Sequence, residues 1–287
     1  MVKIFLLSVA LISSLLAQQP KEINSDDPLI QKVKSLIAPA TFAKDRAYID
    51  IIFSPRSDYY NSQGRVDSVK VIQTLKDNGI LNLFFKTPRE IKISFKTEGV
   101  PLFFVKIMSD SLRNLGYYRY VTKESSYNDS KFTWKISLIS EYAADPLILS
   151  QELRKSNCEI IDVVRENESD WLYLIDMKDA KLDVSTLEDS EEFRLKRSLY
   201  SYWLDVSKVD KIEISSSHRN DWYPYIAYYD KSLKLLRVIK IDKKRSNITL
   251  NMRENTHYIK ISDIYSLKNI KDDLVLKPTA KKVQAPL

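Results

Sequence analysis

A five-residue phrase recurs three times in the first half of the chain, each time closing an amphipathic stretch and preceding an apolar, β-rich run: Leu75-Lys76-Asp77-Asn78-Gly79, Leu112-Arg113-Asn114-Leu115-Gly116 and Leu153-Arg154-Lys155-Ser156-Asn157. Its physical meaning is a helix ending. The Leu faces the core, Lys or Arg in the last turn complements the negative end of the helix dipole, and Gly or Asn accepts the left-handed backbone that follows. Helical spacing of Val66, Val69, Ile72 and Leu75, and of Val105, Met108, Leu112 and Leu115, supports this reading, and Pro101 and Pro146 suit the first turns of the second and third helices.

Each ending is followed by two strand-like runs with a turn between them. The pairs are residues 81–86 and 90–96, 117–123 and 132–140, and 159–165 and 171–177; the turns are Thr87-Pro88-Arg89, Tyr127-Asn128-Asp129-Ser130 and Asn167-Glu168-Ser169-Asp170. A helix over residues 28–37 and a strand over 46–53 precede them. The expectation is an α+β domain of αββ units over residues 26–180. A hairpin with one covering helix buries too little alone, so the units should pack together.

Residues 181–197 are charged and weakly periodic, as in a linker or covering helix. Beyond them, runs rich in Tyr, Ile and Val recur at 200–206, 211–217, 225–229, 233–242, 248–252, 257–262 and 274–277. Seven short strands with polar separators predict an antiparallel β-sandwich over residues 198–278, with a disordered tail at 279–287. The whole chain therefore reads as α+β, N-terminal αββ repeat units followed by a C-terminal antiparallel β-sandwich.

The first residues supply an address. Lys3 precedes an apolar run over residues 4–16 that ends at Ala17 before Gln18-Gln19-Pro20, the pattern of a cleaved secretory signal. The run falls short of the roughly 20 residues that span a bilayer, and no second apolar stretch of its length follows, so the mature protein is expected in the periplasm or outside the cell and not as an integral membrane protein.

Chemistry is limited by composition. One cysteine and two histidines leave no multi-cysteine metal site and little from which to build a triad. Cys158 reads as a small core residue, with an intermolecular disulfide or a nucleophile as the other readings. The four glycines, Gly64, Gly79, Gly99 and Gly116, form no phosphate loop, and the adjacent carboxylates Glu191-Glu192 and Asp272-Asp273 would diverge on a strand. No cofactor, no metal and no catalytic residue is expected. The formal charge of +7 is interspersed along the chain without a basic block, which argues against nucleic acid and leaves anionic envelope glycans as a possible partner class.

Two groups stand out as candidate contact residues. His218, Arg219, Asp221, Trp222, Tyr223 and Tyr225 place aromatic faces beside hydrogen-bonding groups, as sugar or partner recognition requires; the same run would also serve as sandwich core, with Tyr225 and Tyr229 on one strand face and Ile226 and Tyr228 on the other. Tyr59 and Tyr60 lie in the polar segment 54–65 as a candidate partner loop.

The αββ element order is similar to that of the small ring-building and polypeptide-transport-associated modules of bacterial envelope machines. The run Trp222-Tyr223-Pro224-Tyr225-Ile226-Ala227-Tyr228-Tyr229-Asp230, with the strand end Tyr258-Ile259-Lys260-Ile261-Ser262-Asp263, resembles galactose-binding-like jelly-roll accessory domains, which implies an adhesive or ligand-binding module. Lys-, Ile-, Asn- and Tyr-rich, Gly-poor usage is similar to that of periplasmic proteins of Campylobacter- and Helicobacter-like bacteria, which surround their flagellar motors with extra scaffolds. The resulting expectation is a non-catalytic exported protein that contacts envelope proteins, as an assembly or motility accessory; the alternative is a glycan- or envelope-ligand-binding module in the C-terminal part.

Overall fold

The computed structural model describes residues 27–189 and 191–281. The expected leader, residues 1–17, and residues 282–287 of the expected tail lie outside them. The chain divides into two compact units, Met1–Val66 and Asp67–Leu287.

The described part of the first unit is helical: α1 (Pro28–Leu36), α2 (Pro39–Lys44) and α3 (Arg46–Ile52), then a 3₁₀ turn at Arg56–Tyr59. The strand expected over residues 46–53 is therefore α3. Its isoleucines favour a strand locally, but Ile49 and Phe53, four residues apart, are both fully buried while Ile51 is exposed, so burial follows helical spacing. Asp27 caps α1 by accepting from the Leu29 N–H at 2.9 Å.

The second unit begins with α4 (Ser68–Asp77), β1 (Phe84–Thr97), α5 (Pro101–Asn114), β2 (Val121–Asn128), β3 (Lys131–Tyr142), α6 (Pro146–Lys155), β4 (Glu159–Arg165) and β5 (Asp170–Asp176). All three helices end as the repeated phrase requires. Gly79, Gly116 and Asn157 have φ of 70°, 89° and 53°. In each case the following N–H, of Ile80, Tyr117 or Cys158, donates to the carbonyl of the phrase's Leu at 2.8–3.1 Å, which is the Schellman arrangement. These strands form one sheet in the order β2-β3-β1-β5-β4, with β1 and β5 parallel and the other neighbours antiparallel. Phe104 of α5 meets Phe132 of β3 edge-on at 6.0 Å, and α4 and α6 lie against β4.

The turn expected at Thr87-Pro88-Arg89 is absent, because β1 is a single 14-residue strand. Its ladder to β3 shifts register between Phe84 and Arg89. Pro88, which has no N–H to donate, sits inside that interruption, and β5 pairs with β1 only from Lys92 onward. The Tyr127-to-Ser130 turn does form: Asp129 and Ser130 both have positive φ, as a two-residue hairpin matched to strand twist demands.

The remaining strands are β6 (Ser185–Thr186), β7 (Phe193–Leu195), β8 (Tyr202–Asp205), β9 (Val209–Ser216), β10 (Pro224–Tyr229), β11 (Leu235–Lys240), β12 (Asn247–Asn251), β13 (Tyr258–Asp263) and β14 (Leu274–Ala280). They build two sheets, β11-β10-β13-β8-β6 and β12-β9-β14-β7. Buried side chains from both, including Leu204, Ile212, Ile226, Ile259 and Leu276, form one hydrophobic cluster. Pairing is antiparallel except for β6 with β8, which is parallel.

Residues 181–197, expected as a linker or covering helix, instead contribute β6 and β7, and Leu187 and Leu195 enter the shared core. Thr279 and Ala280, expected in a disordered tail, complete β14 against β9. The fold is α+β, with helices beside mixed and antiparallel sheets. Among the described residues, no helix is long and apolar enough to cross a membrane.

Helix α5 joins the two parts of this unit. Pro101 starts it after Val100 in extended conformation, and Phe103, Phe104, Ile107 and Met108 are all buried. Consecutive phenylalanines point to different partners on a helix. Phe104 serves the first sheet, whereas Phe103 lies 6.5 Å from the Tyr258 ring of β13. Each such burial contributes about 1.5–3 kcal/mol.

Candidate interaction surface

The structure distributes the six candidate residues of the 218–225 run over three environments. Trp222 is fully buried, and its indole Nε1–H donates to the Ser262 carbonyl at 2.9 Å. His218 and Arg219 are exposed on a loop organised by buried Asn220, whose Oδ1 accepts from the N–H groups of Lys271 and Asp272 at 2.8 and 2.7 Å. Asp221 is held between Lys271 and Lys244 at 2.7 and 2.9 Å. Hydrogen bonds from these two ammonium groups hold its carboxyl down at about 2. Tyr223 meets Tyr265 edge-on at 5.1 Å, and its N–H donates to Asp263 at 2.8 Å. Tyr225 lies further along β10, half-buried. The expected aromatic platform is thus not assembled, because its Trp belongs to the core.

Tyr59 and Tyr60 also prove to be internal ties. Tyr59 is buried, packs against Phe53 with ring centroids 4.7 Å apart and planes tilted by 60°, and donates its hydroxyl to the Ile52 carbonyl at 2.8 Å. Tyr60 donates to Asp27 at 3.1 Å. Asp27 also pairs with Arg56; burial would raise its pKa, but the Leu29 N–H, Arg56 and Tyr60 together lower it. Cys158 is buried, and desolvation pushes its thiol up to about 12, leaving it in the un-ionised, unreactive form at neutral pH. Among the described residues, no group of three His, Cys, Asp or Glu side chains could hold a metal ion.

An arrangement not named from the sequence emerges on the sheet β11-β10-β13-β8-β6. Residues directly opposite one another share a face. One row runs Tyr202, Ile261, Ile226, Ile239, and it points into the shared core. The next row runs Trp203, Lys260, Ala227, Val238, and another runs Asp205, Tyr258, Tyr229, Leu235; these lie on the outer face, together with Tyr225 and Lys240.

Helix α5 covers one half of that outer face. Phe103 seats on Tyr258, Lys106 Nζ lies 4.9 Å from the Trp203 ring centroid, and the Arg113 guanidinium lies 4.7 Å from that of Tyr200. Burial lowers the Lys106 pKa, opposed by its pairing with Asp110. The other half, on β10 and β11, has no such cover among the described residues: Leu235 is 52% exposed and Val238 39%, beside half-buried Tyr225 and Tyr229. Tyr229 stacks on Trp203 at 5.0 Å, so the open patch is continuous with the covered one.

Chemically, this surface offers apolar area, aromatic edges and exposed cations. The period-2 alternation of β10 separates Tyr225 and Tyr229 from Ile226 and Tyr228; it does not reveal which pair meets the core. That depends on β9, β12 and β14, which close over the Ile226 side, and on α5, nearly 120 residues earlier in the chain. Comparison of the sequence with protein-family models finds no match, and comparison with curated proteins finds no significant relative.

Proposed function

We propose that this is a non-catalytic, exported protein that acts by protein–protein contact in the bacterial envelope, as a structural or assembly accessory of an envelope machine such as the flagellar motor. The observation that carries the reading is the uncovered half of the outer face on β10 and β11. A contiguous apolar patch beside cations is the anatomy of a contact surface, whereas apolar residues scattered singly are ordinary. On this reading the helix-and-strand segments with identical endings are copies of one module, and the two C-terminal sheets act as a sandwich that presents the patch. Signal cleavage near Ala17 and periplasmic residence belong to the same proposal.

The alternative, a glycan- or envelope-ligand-binding module, is weakened by the burial of Trp222, the ring best suited to stack on a sugar. Crosslinking an affinity-tagged copy in cells, followed by mass spectrometry of the envelope fraction, tests the choice. Stoichiometric recovery of the components of one machine supports the contact reading. A clean monomer with retention on envelope glycans would replace it with the alternative.

A further inference from the structure

The open patch ends at a strand edge with a single sign of charge. β11 is the terminal strand of its sheet, and among the described residues no strand pairs with its outer side. Such an edge presents unpaired N–H and C=O groups, a template for another extended chain. Between residues 230 and 245 stand seven Lys or Arg residues and two Asp. Both aspartates are engaged locally: Asp230 accepts from the Ser232 and Lys234 N–H groups at 2.8 and 2.9 Å, and Asp242 accepts from the Tyr265 hydroxyl. Lys244 is tied to Asp221 at 2.9 Å. Lys234, Arg237 and Lys240, on β11 and its threshold, form no ion pair among the described residues.

The opposite edge of the molecule's first sheet lacks this polarity. β2 carries Lys123 next to Glu124, and Lys123 faces Glu90 at 3.5 Å. Lysines on an edge bar a second copy of the same strand, because like charges would stand across the new ladder. The same lysines favour an incoming strand of opposite sign.

We propose that the free edge of β11 takes up an extended acidic segment of a partner protein by strand addition. Backbone groups of the segment would continue the ladder, its apolar side chains would cover Leu235 and Val238 on the outer face, and its carboxylates, alternating to the other face, would meet Arg237, which stands opposite Tyr228 and over its ring, with Lys234 and Lys240 adding attraction at the two ends of the strand. This deepens the contact reading above and rests on it.

A fluorescent nine-residue peptide alternating Glu with Val and Ile is the probe, titrated against the full chain by anisotropy. The comparison peptides carry Lys in place of Glu, or N-methyl groups on alternate amides. The acidic peptide is expected to bind at least tenfold more tightly than the basic one, to weaken with added NaCl, to lose binding on N-methylation and to slow amide exchange at residues 235–240. The double variant Lys234→Glu/Lys240→Glu, with an unchanged urea midpoint, should reverse the charge preference. Equal binding of both peptides, binding without protection of residues 235–240, or no binding at all would each overturn strand addition. A photo-crosslinker at Val238 separates this failure from that of the broader reading. An envelope protein captured there without any acidic-peptide binding would leave the contact surface standing and remove only the strand-addition mode.

Discussion

The two halves of one sheet face are built from the same residue types and meet different fates. On β13 and β8, Tyr258 and Trp203 lie beneath α5, with Phe103 and Lys106 seated on them. On β10 and β11, half-buried Tyr225 and Tyr229 and exposed Leu235 and Val238 form the same kind of apolar patch without such a cover among the described residues. Aromatic and aliphatic content therefore does not separate structure from contact surface in this protein. The separation is made by a helix from the other part of the chain.

The strongest way to sharpen this contrast is to remove a ring from the interior. Trp222→Ala should cost about 3–5 kcal/mol, since the ring is fully buried and its N–H is bonded to the Ser262 carbonyl; urea denaturation would register it as a large drop in midpoint. Retention of near-native stability would mean that the aromatic run is not core. Phe103→Ala tests the covered half. A loss of about 3 kcal/mol is expected, with faster amide exchange in β13. No change in β13 exchange would show that α5 is not the cover it is taken for.

A smaller effect is expected at the helix endings. Gly116→Ala should cost about 1 kcal/mol, since φ there is 89° and a Cβ would meet nothing within 4 Å, which leaves backbone strain as the whole penalty. Asn157→Gly should be stabilising by a few tenths of that at the equivalent position. Asp221 gives a pH signature. Its folded pKa of about 2 lies below the ordinary carboxylate value of 3.8, so its contribution is complete above about pH 5 and is lost as pH falls toward 2. In Asp221→Asn, that part of the acid-side decline in urea midpoint should be missing, by a small amount because the group is exposed. The smallest effect on stability belongs to the open half: Leu235→Ser and Val238→Ser should change the unfolding free energy by no more than about 0.5 kcal/mol while abolishing partner recovery. A large destabilisation would move these residues from contact surface to structure.

The sequence made some of this fold legible because certain signals are purely local. The three Leu-to-Gly or Leu-to-Asn endings need only a helix terminus and one left-handed residue, and all three form. The seven strand runs of the second half correspond to β8 through β14. Where the outcome depended on distant partners, local signals misled. Residues 46–53 carry strand-forming isoleucines yet bury a helical face at Ile49 and Phe53. Residues 181–197 look like a linker because β6 and β7 are only two and three residues long and borrow their stability from β8 and β14. Trp222 and Tyr223, adjacent and both aromatic, are indistinguishable in sequence; what separates them is distant, since the Trp222 indole reaches the Ser262 carbonyl from the interior while the Tyr223 ring meets Tyr265.

The most direct test of the contact surface is a photo-crosslinking amino acid placed in cells at position 238, at position 92 on exposed Lys92 of β1, and at buried position 261. The account predicts one discrete envelope-protein adduct from position 238 and none from the other two. An adduct from position 92 with none from position 238 would contradict it and move the contact surface to the first sheet.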